Sequence, residues 1–126
     1  AGFTFSDRVT FSQLVAQSAA EITSTPSGTT QTINLNSGNH QTLTLTSSTG
    51  NVTATLTVPS NVSSGTLIVK QHASTPRAIT WAVSSGTIMW MGTQPTWASD
   101  AANAVRIVSW RWDGSVMYLA ATDVGA

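Results

Sequence analysis

From Thr29 onward, hydrophobic and polar residues alternate with a period of two, in short runs separated by clusters of Ser, Gly, Asn and Pro. Ile33 and Leu35 alternate with Thr32 and Asn34, and Leu43 and Leu45 alternate with Thr42, Thr44 and Thr46. Val52, Ala54, Leu56 and Val58 alternate with Thr53, Thr55 and Thr57. Alternation of this kind sends one set of side chains to each face of a strand. Ser37-Gly38-Asn39 and Ser47-Ser48-Thr49-Gly50 read as turns, and Pro59 to Gly65 breaks the run. Thr66 to Gln71, Arg77 to Ala82 and Thr87 to Met91 supply three further strands. The segment Gly92 to Asn103 has no clean period and reads as a loop, long for a passive connection.

A hairpin follows, pairing Ala104–Trp112 with Ser115–Ala121 across Asp113-Gly114, a dipeptide that supplies the positive φ angles of a tight turn. A two-residue loop places Trp112 opposite Ser115, Trp110 opposite Met117 and Val108 opposite Leu119. A three-residue loop with a bulge shifts that register, and the sequence fits either.

The N-terminal part differs. Residues 1–9 read as an arm, with Phe3 and Phe5 among small polar residues. Thr10-Phe11-Ser12-Gln13 fits a capping box, and Val9 with Leu14 fits a hydrophobic staple. Phe11, Leu14, Val15, Ala19 and Ile22 then recur on one face of a helix that should end near Ile22. So short a helix needs a docking surface, either its own sandwich or a neighbouring subunit. The chain therefore divides into an arm and helix, 1–28, and a β-domain, 29–126. Seven or eight short, regularly spaced strands predict an all-β fold, an antiparallel β-sandwich of jelly-roll type.

Composition sharpens this picture. A chain of 126 residues suits one domain. Charged residues are 8%, Ser and Thr are about 30%, and Ile22 to Val69 carries no Asp, Glu, Lys or Arg. With 40% hydrophobic residues this is not the composition of a disordered chain. It is that of a β-protein whose outer faces carry hydroxyl groups in place of charges. Zero net charge removes the electrostatic basis for nucleic-acid or anionic-membrane binding. It also suits a subunit held in an assembly better than a free monomer. No apolar run approaches the ~20 residues of a membrane helix, and AGFTFSDRV is not a secretory signal.

Candidate chemistry is sparse. There is no Cys, hence no disulfide, thiolate metal site or thiol nucleophile. His40 sits in a turn and His72 at a strand end. A set drawn from His72, Asp100 and one of many serines is expected by chance in so serine-rich a chain, and it is assigned no catalytic role. Two isolated histidines do not make a metal site, and no Gly-rich phosphate loop or cofactor motif is present. The glycosylation triplets at Asn51 and Asn61 are also expected by chance. The reading is of a protein with no catalysis, no metal and no cofactor.

All five tryptophans lie between Ile79 and Trp112. Trp81 and Trp110 are assigned to the core, where such rings contribute most. Trp90, Trp97 and Trp112 lie beside turns or in the long loop. Trp97, with Gln94, Pro95 and Thr96, is the candidate partner-facing loop.

The order of GNVTATLTVP, GTLIVKQ, RAITW, IMWMGTQPTW, ASDAANAV and VRIVSWRWDGSVMYLA resembles a β-domain of tailed-bacteriophage structural proteins, notably tail-fibre C-terminal domains. No single motif is diagnostic; their order and spacing carry the resemblance, over about two thirds of the chain. It implies a trimeric β-sandwich attached to the virion, with no catalysis. Fibres carry a long stalk before this domain, whereas here residues 1–32 precede it. A chain that starts here suits a capsid decoration (cement) protein: a homotrimer held to the major capsid protein through Phe3, Phe5, Phe11, Leu14 and Val15. A fragment of a longer fibre would instead be a receptor-binding head that grips a host-surface glycan through the Trp97 loop. A free carbohydrate-binding module is a third reading.

Overall fold

The computed structural model describes residues 22–125. Within them lie nine strands: β1 Ile22–Ser24, β2 Thr30–Asn34, β3 His40–Thr44, β4 Val52–Thr57, β5 Ser63–Lys70, β6 Ile79–Val83, β7 Thr87–Trp90, β8 Val105–Trp112 and β9 Val116–Ala121. Phe3, Phe5, Phe11, Leu14 and Val15 lie outside the described residues, as does the predicted helix except for Ile22. Ile22 itself opens strand β1, within the stretch 1–28 read as arm and helix.

The all-β class holds, but the strands do not form an antiparallel jelly roll. They make a six-stranded sheet A, ordered β1-β3-β5-β8-β9-β7, and a three-stranded sheet B, ordered β2-β4-β6. From β1 to β6 the chain alternates between the sheets, so each circuit adds one strand to each, in the same direction. The pairs β1–β3, β3–β5, β2–β4 and β4–β6 are accordingly parallel. The winding is that of a short β-solenoid. The Ser/Gly/Asn segments read as turns are corners that carry the chain from one sheet to the other. Their neighbours bond to the adjoining circuit: Leu45 N–H donates to Lys70 O at 2.9 Å and Val52 N–H to Ala78 O at 2.9 Å. Period-two alternation fixes which side chains point inward and is blind to the direction of the neighbouring strand.

The solenoid stops at β7. Strand β8 runs back antiparallel to β5, β9 pairs antiparallel with β8, and β7 lies parallel to β9 at the sheet edge. The hairpin register is Trp112↔Met117, Trp110↔Leu119 and Val108↔Ala121. It differs by two residues from the two-residue-loop expectation, so every side chain stays on its expected face. Gly114 (φ 98°) and Ser115 form the turn, one residue later than Asp113-Gly114. Asp113 instead braces it from outside, its Oδ1 accepting the Ser115 and Val116 N–H groups at 2.8 and 2.7 Å.

The core lies between the sheets. Sheet A contributes Leu43, Leu67, Val108, Trp110, Met117 and Leu119, and sheet B contributes Ile33, Val52, Ala54, Leu56 and Ile79, all buried. The indole of Trp110 fits because its cross-strand partner is Gly65. A Cβ there would overlap Asn39 O and come within 2.7 Å of Trp110 Cζ2.

Candidate functional site

Three strands cannot cover six. The side of the core left open by sheet B is closed by the segment between β7 and β8. Its one regular element is a 3₁₀ turn, Trp97–Ser99. Trp97 points inward and is 2% exposed, which corrects its assignment as a partner-facing anchor. Its ring lies 5.5 Å from that of Trp81 and 6.0 Å from that of Trp90 between centroids, and Trp81 and Trp90 are 6.2 Å apart. Trp81 and Trp90 are half-buried around it. Gln94 and Thr96 are exposed and Pro95 is half-buried, so the loop presents polar groups while its tryptophan serves the core.

Polar side chains hold this plug in place. Gln71, 2% exposed, donates from Nε2 to Trp97 O at 2.8 Å and to Arg77 O at 3.0 Å. Its Oε1 accepts the His72 and Arg77 N–H groups, each at 2.8 Å. Asp100 receives both Arg106 Nε and Nη2 at 2.7 Å, a bidentate pair in which the side chains are 5% and 14% exposed. The Arg106 guanidinium sits 6.0 Å from the Trp97 ring centroid. Its pKa is raised above the ordinary arginine value, chiefly by the hydrogen bond to Asp100. Asp100 is thus a structural counter-ion. His72 Nδ1 accepts the Ser74 and Thr75 N–H groups at 3.1 and 3.0 Å, and His40 Nδ1 lies 2.7 Å from Thr66 Oγ1. The ionisable residues weighed as chemistry therefore have local bonding roles. Among the described residues no group of three or more His, Cys, Asp or Glu is placed to hold a metal ion. No helix among them is long and apolar enough to cross a membrane.

The surface best suited to contact is the outer face of sheet A. Register places Met89, Tyr118, Arg111 and Ser64 in one row across β7, β9, β8 and β5. Met89 and Met91 are 51% and 55% exposed, and Ile107 farther along β8 is 39% exposed. Met91, Arg111, Asp113 and Tyr118 line a shallow depression, continued by Ser109 and Ala120. Tyr118 Oη donates to Asp113 Oδ2 at 3.1 Å. Sequence reasoning missed this patch, although its signal was present: in Ile88-Met89-Trp90-Met91 both alternating sets are apolar, so one set must face outward.

No protein-family model, no curated protein and no solved structure matches this chain.

Proposed function

We propose that this chain is a structural subunit of a tailed-bacteriophage virion: a homotrimeric decoration (cement) protein that binds the major capsid protein and stabilises the shell. The observation that carries this reading is the outer surface. It is hydroxyl-rich, free of charged side chains from Ile22 to Val69, and interrupted by exposed apolar side chains, Met89 and Met91 at the β7 edge of sheet A and Ile107 farther along β8. Such a surface favours permanent apolar contact over electrostatic capture of a diffusing ligand. The motifs that carry the phage resemblance have a place in the core: Gln71, Trp81, Trp97 and the β8–β9 hairpin build and brace it. Residues that build the core say nothing about what the protein contacts, so the contact surface has to supply the functional argument.

The arm, Phe3 and Phe5, is the proposed attachment to the shell. Deleting residues 1–9 should leave a folded protein that no longer joins capsids, measured by co-sedimentation with undecorated shells. Wild-type binding by the truncated protein would rule out the anchoring role. Copy number on purified virions separates this reading from a fibre head. Hundreds of copies on the head support decoration. A handful at the tail supports the fibre alternative, whose contact residues would be the exposed Gln94 and Thr96 of the loop.

A further inference from the structure

Strand β7 ends sheet A, and among the described residues no strand pairs with its outer side. Its inner side is bonded to β9: Thr87 N–H donates to Ser115 O at 3.3 Å and Met91 N–H to Leu119 O at 2.7 Å. In a parallel pair, residues bonded to the neighbour alternate with residues whose N–H and C=O point the other way. Thr87, Met89 and Met91 therefore serve β9, and Ile88 and Trp90 turn both backbone groups to the open edge. Such an edge invites pairing, and proteins commonly protect it with charge, Pro or a bulge. Strand β7 has none of these. Thr87 to Met91 carries no charge and no Pro, and β7 matches β9 residue for residue. Its rim is apolar on both faces: Ile88 and Trp90 pack against the core, and Met89 and Met91 are exposed. At β6, the corresponding edge of sheet B, the plug packs Trp97 against Trp81.

We infer that β7 is a contact between copies of this chain: a second copy adds its own β7 antiparallel, across a two-fold axis at Met89, and joins the two A sheets into one. The open groups fit this geometry. With Met89 on the axis, Ile88 faces Trp90 of the second copy and Trp90 faces its Ile88. Residues paired in this way exchange both N–H···O bonds, so every open group between them finds a partner. A two-fold contact needs a surface complementary to itself. Here nothing repels: in the Met89 row the first charged side chain is Arg111, on β8, with β9 between it and β7. Zero net charge also lets copies approach without general repulsion. A foreign strand could use the same backbone groups, but a second copy necessarily brings an edge of equal length, equal spacing and equally apolar rim. The inference does not depend on the virion reading. A two-fold contact pairs whatever unit the isolated protein forms, giving a dimer, or trimers joined in pairs.

The chain has no cysteine, so introduced thiols are unique. Met89→Cys sets two thiols across the axis in a non-hydrogen-bonded pair, where Cα atoms lie about 4.5 Å apart, within disulfide reach. Met91→Cys, equally open to solvent, staggers its thiols by roughly 13 Å along the strands, out of reach. Oxidised at equal protein concentration, Met89→Cys should form an interchain disulfide at least ~10-fold faster than Met91→Cys, with the 89–89 link identified by mass spectrometry. Equal rates, or no bridge at position 89, would overturn the inference. Independently, Met89→Lys places two ammonium groups at the axis. It should weaken self-association at least ~10-fold in sedimentation velocity, with an unchanged circular dichroism spectrum because Met89 faces solvent. Undiminished association of a folded Met89→Lys protein would overturn the inference, as would a wild type found only as a monomer. A wild-type trimer with no paired form would also overturn it, while leaving the proposed trimer standing.

Discussion

Trp97 shows at the scale of one residue why a loop tryptophan is ambiguous. Its neighbours Gln94 and Thr96 face solvent, yet its indole is enclosed by Trp81 and Trp90 and braced by Gln71 and the Asp100–Arg106 pair. Removing a large buried aromatic forfeits its transfer free energy and leaves a cavity. Trp97→Ala should therefore cost about 3–5 kcal/mol of folding stability, whereas Gln94→Ala should stay within ~0.5 kcal/mol. Urea unfolding followed by circular dichroism measures both. A Trp97→Ala protein of unchanged stability would show that the plug does not carry the core. The same result bears on receptor binding: lost adsorption in this variant would have to be separated from lost fold, so Gln94 and Thr96 are the sharper probes of the loop.

The β8–β9 hairpin carries the clearest pH dependence at the scale of an element. The Val116 and Ser115 N–H groups hold the Asp113 carboxyl below its ordinary pKa, and the Tyr118 hydroxyl adds to this. The same bond to Asp113 raises the Tyr118 phenol above its ordinary value. A carboxyl lowered by folding stabilises the protein above its unfolded pKa, near 4, and loses that contribution as pH falls through the folded value. A phenol raised by folding contributes below its unfolded pKa, near 10, and loses the contribution as pH rises through the folded value. The difference in melting temperature between the wild type and Asp113→Asn should thus be largest in the neutral range and shrink in acid and in strong alkali. A constant difference across pH would exclude the carboxylate charge as its cause. This hairpin also marks how far the sequence was legible. Trp110, Trp112, Val108, Met117 and Leu119 lie on the face that alternation predicted, because burial imposes that period. The turn itself was misplaced by one residue, because Asp fits equally well inside a tight turn or just before it, bracing the N–H groups that follow. Strand direction in β1 to β6 was not legible at all, since a corner between sheets and a hairpin between strands draw on the same Ser, Gly and Asn. The apolar patch at Met89 and Met91 was written in the sequence but masked by Ile88 and Trp90, which compete for the inward face.

Taken whole, the chain has three of its ten charged side chains at or before Glu21 and seven at or after Lys70, which leaves the stretch from Ile22 to Val69 without any. Its one described ion pair, Asp100–Arg106, is internal and braces the plug. A protein built this way has little with which to make ionic contacts to a neighbour. The contacts of the proposed trimer, and of the trimer with its shell, must then come from apolar and hydroxyl surface. Contacts of that kind respond to salt in a characteristic manner. Raising sodium chloride from 50 to 500 mM shortens the screening length from roughly 14 Å to about 4 Å and should leave trimer and shell association within about twofold of their starting values. Sulfate at the same ionic strength should tighten both, because excluded salts strengthen apolar burial. Sedimentation velocity follows the trimer and co-sedimentation follows the shell. A tenfold or greater loss of either association in sodium chloride would mean that the few charged groups, Arg111 beside the methionine patch foremost, make the contact. The apolar surface would then be incidental to assembly.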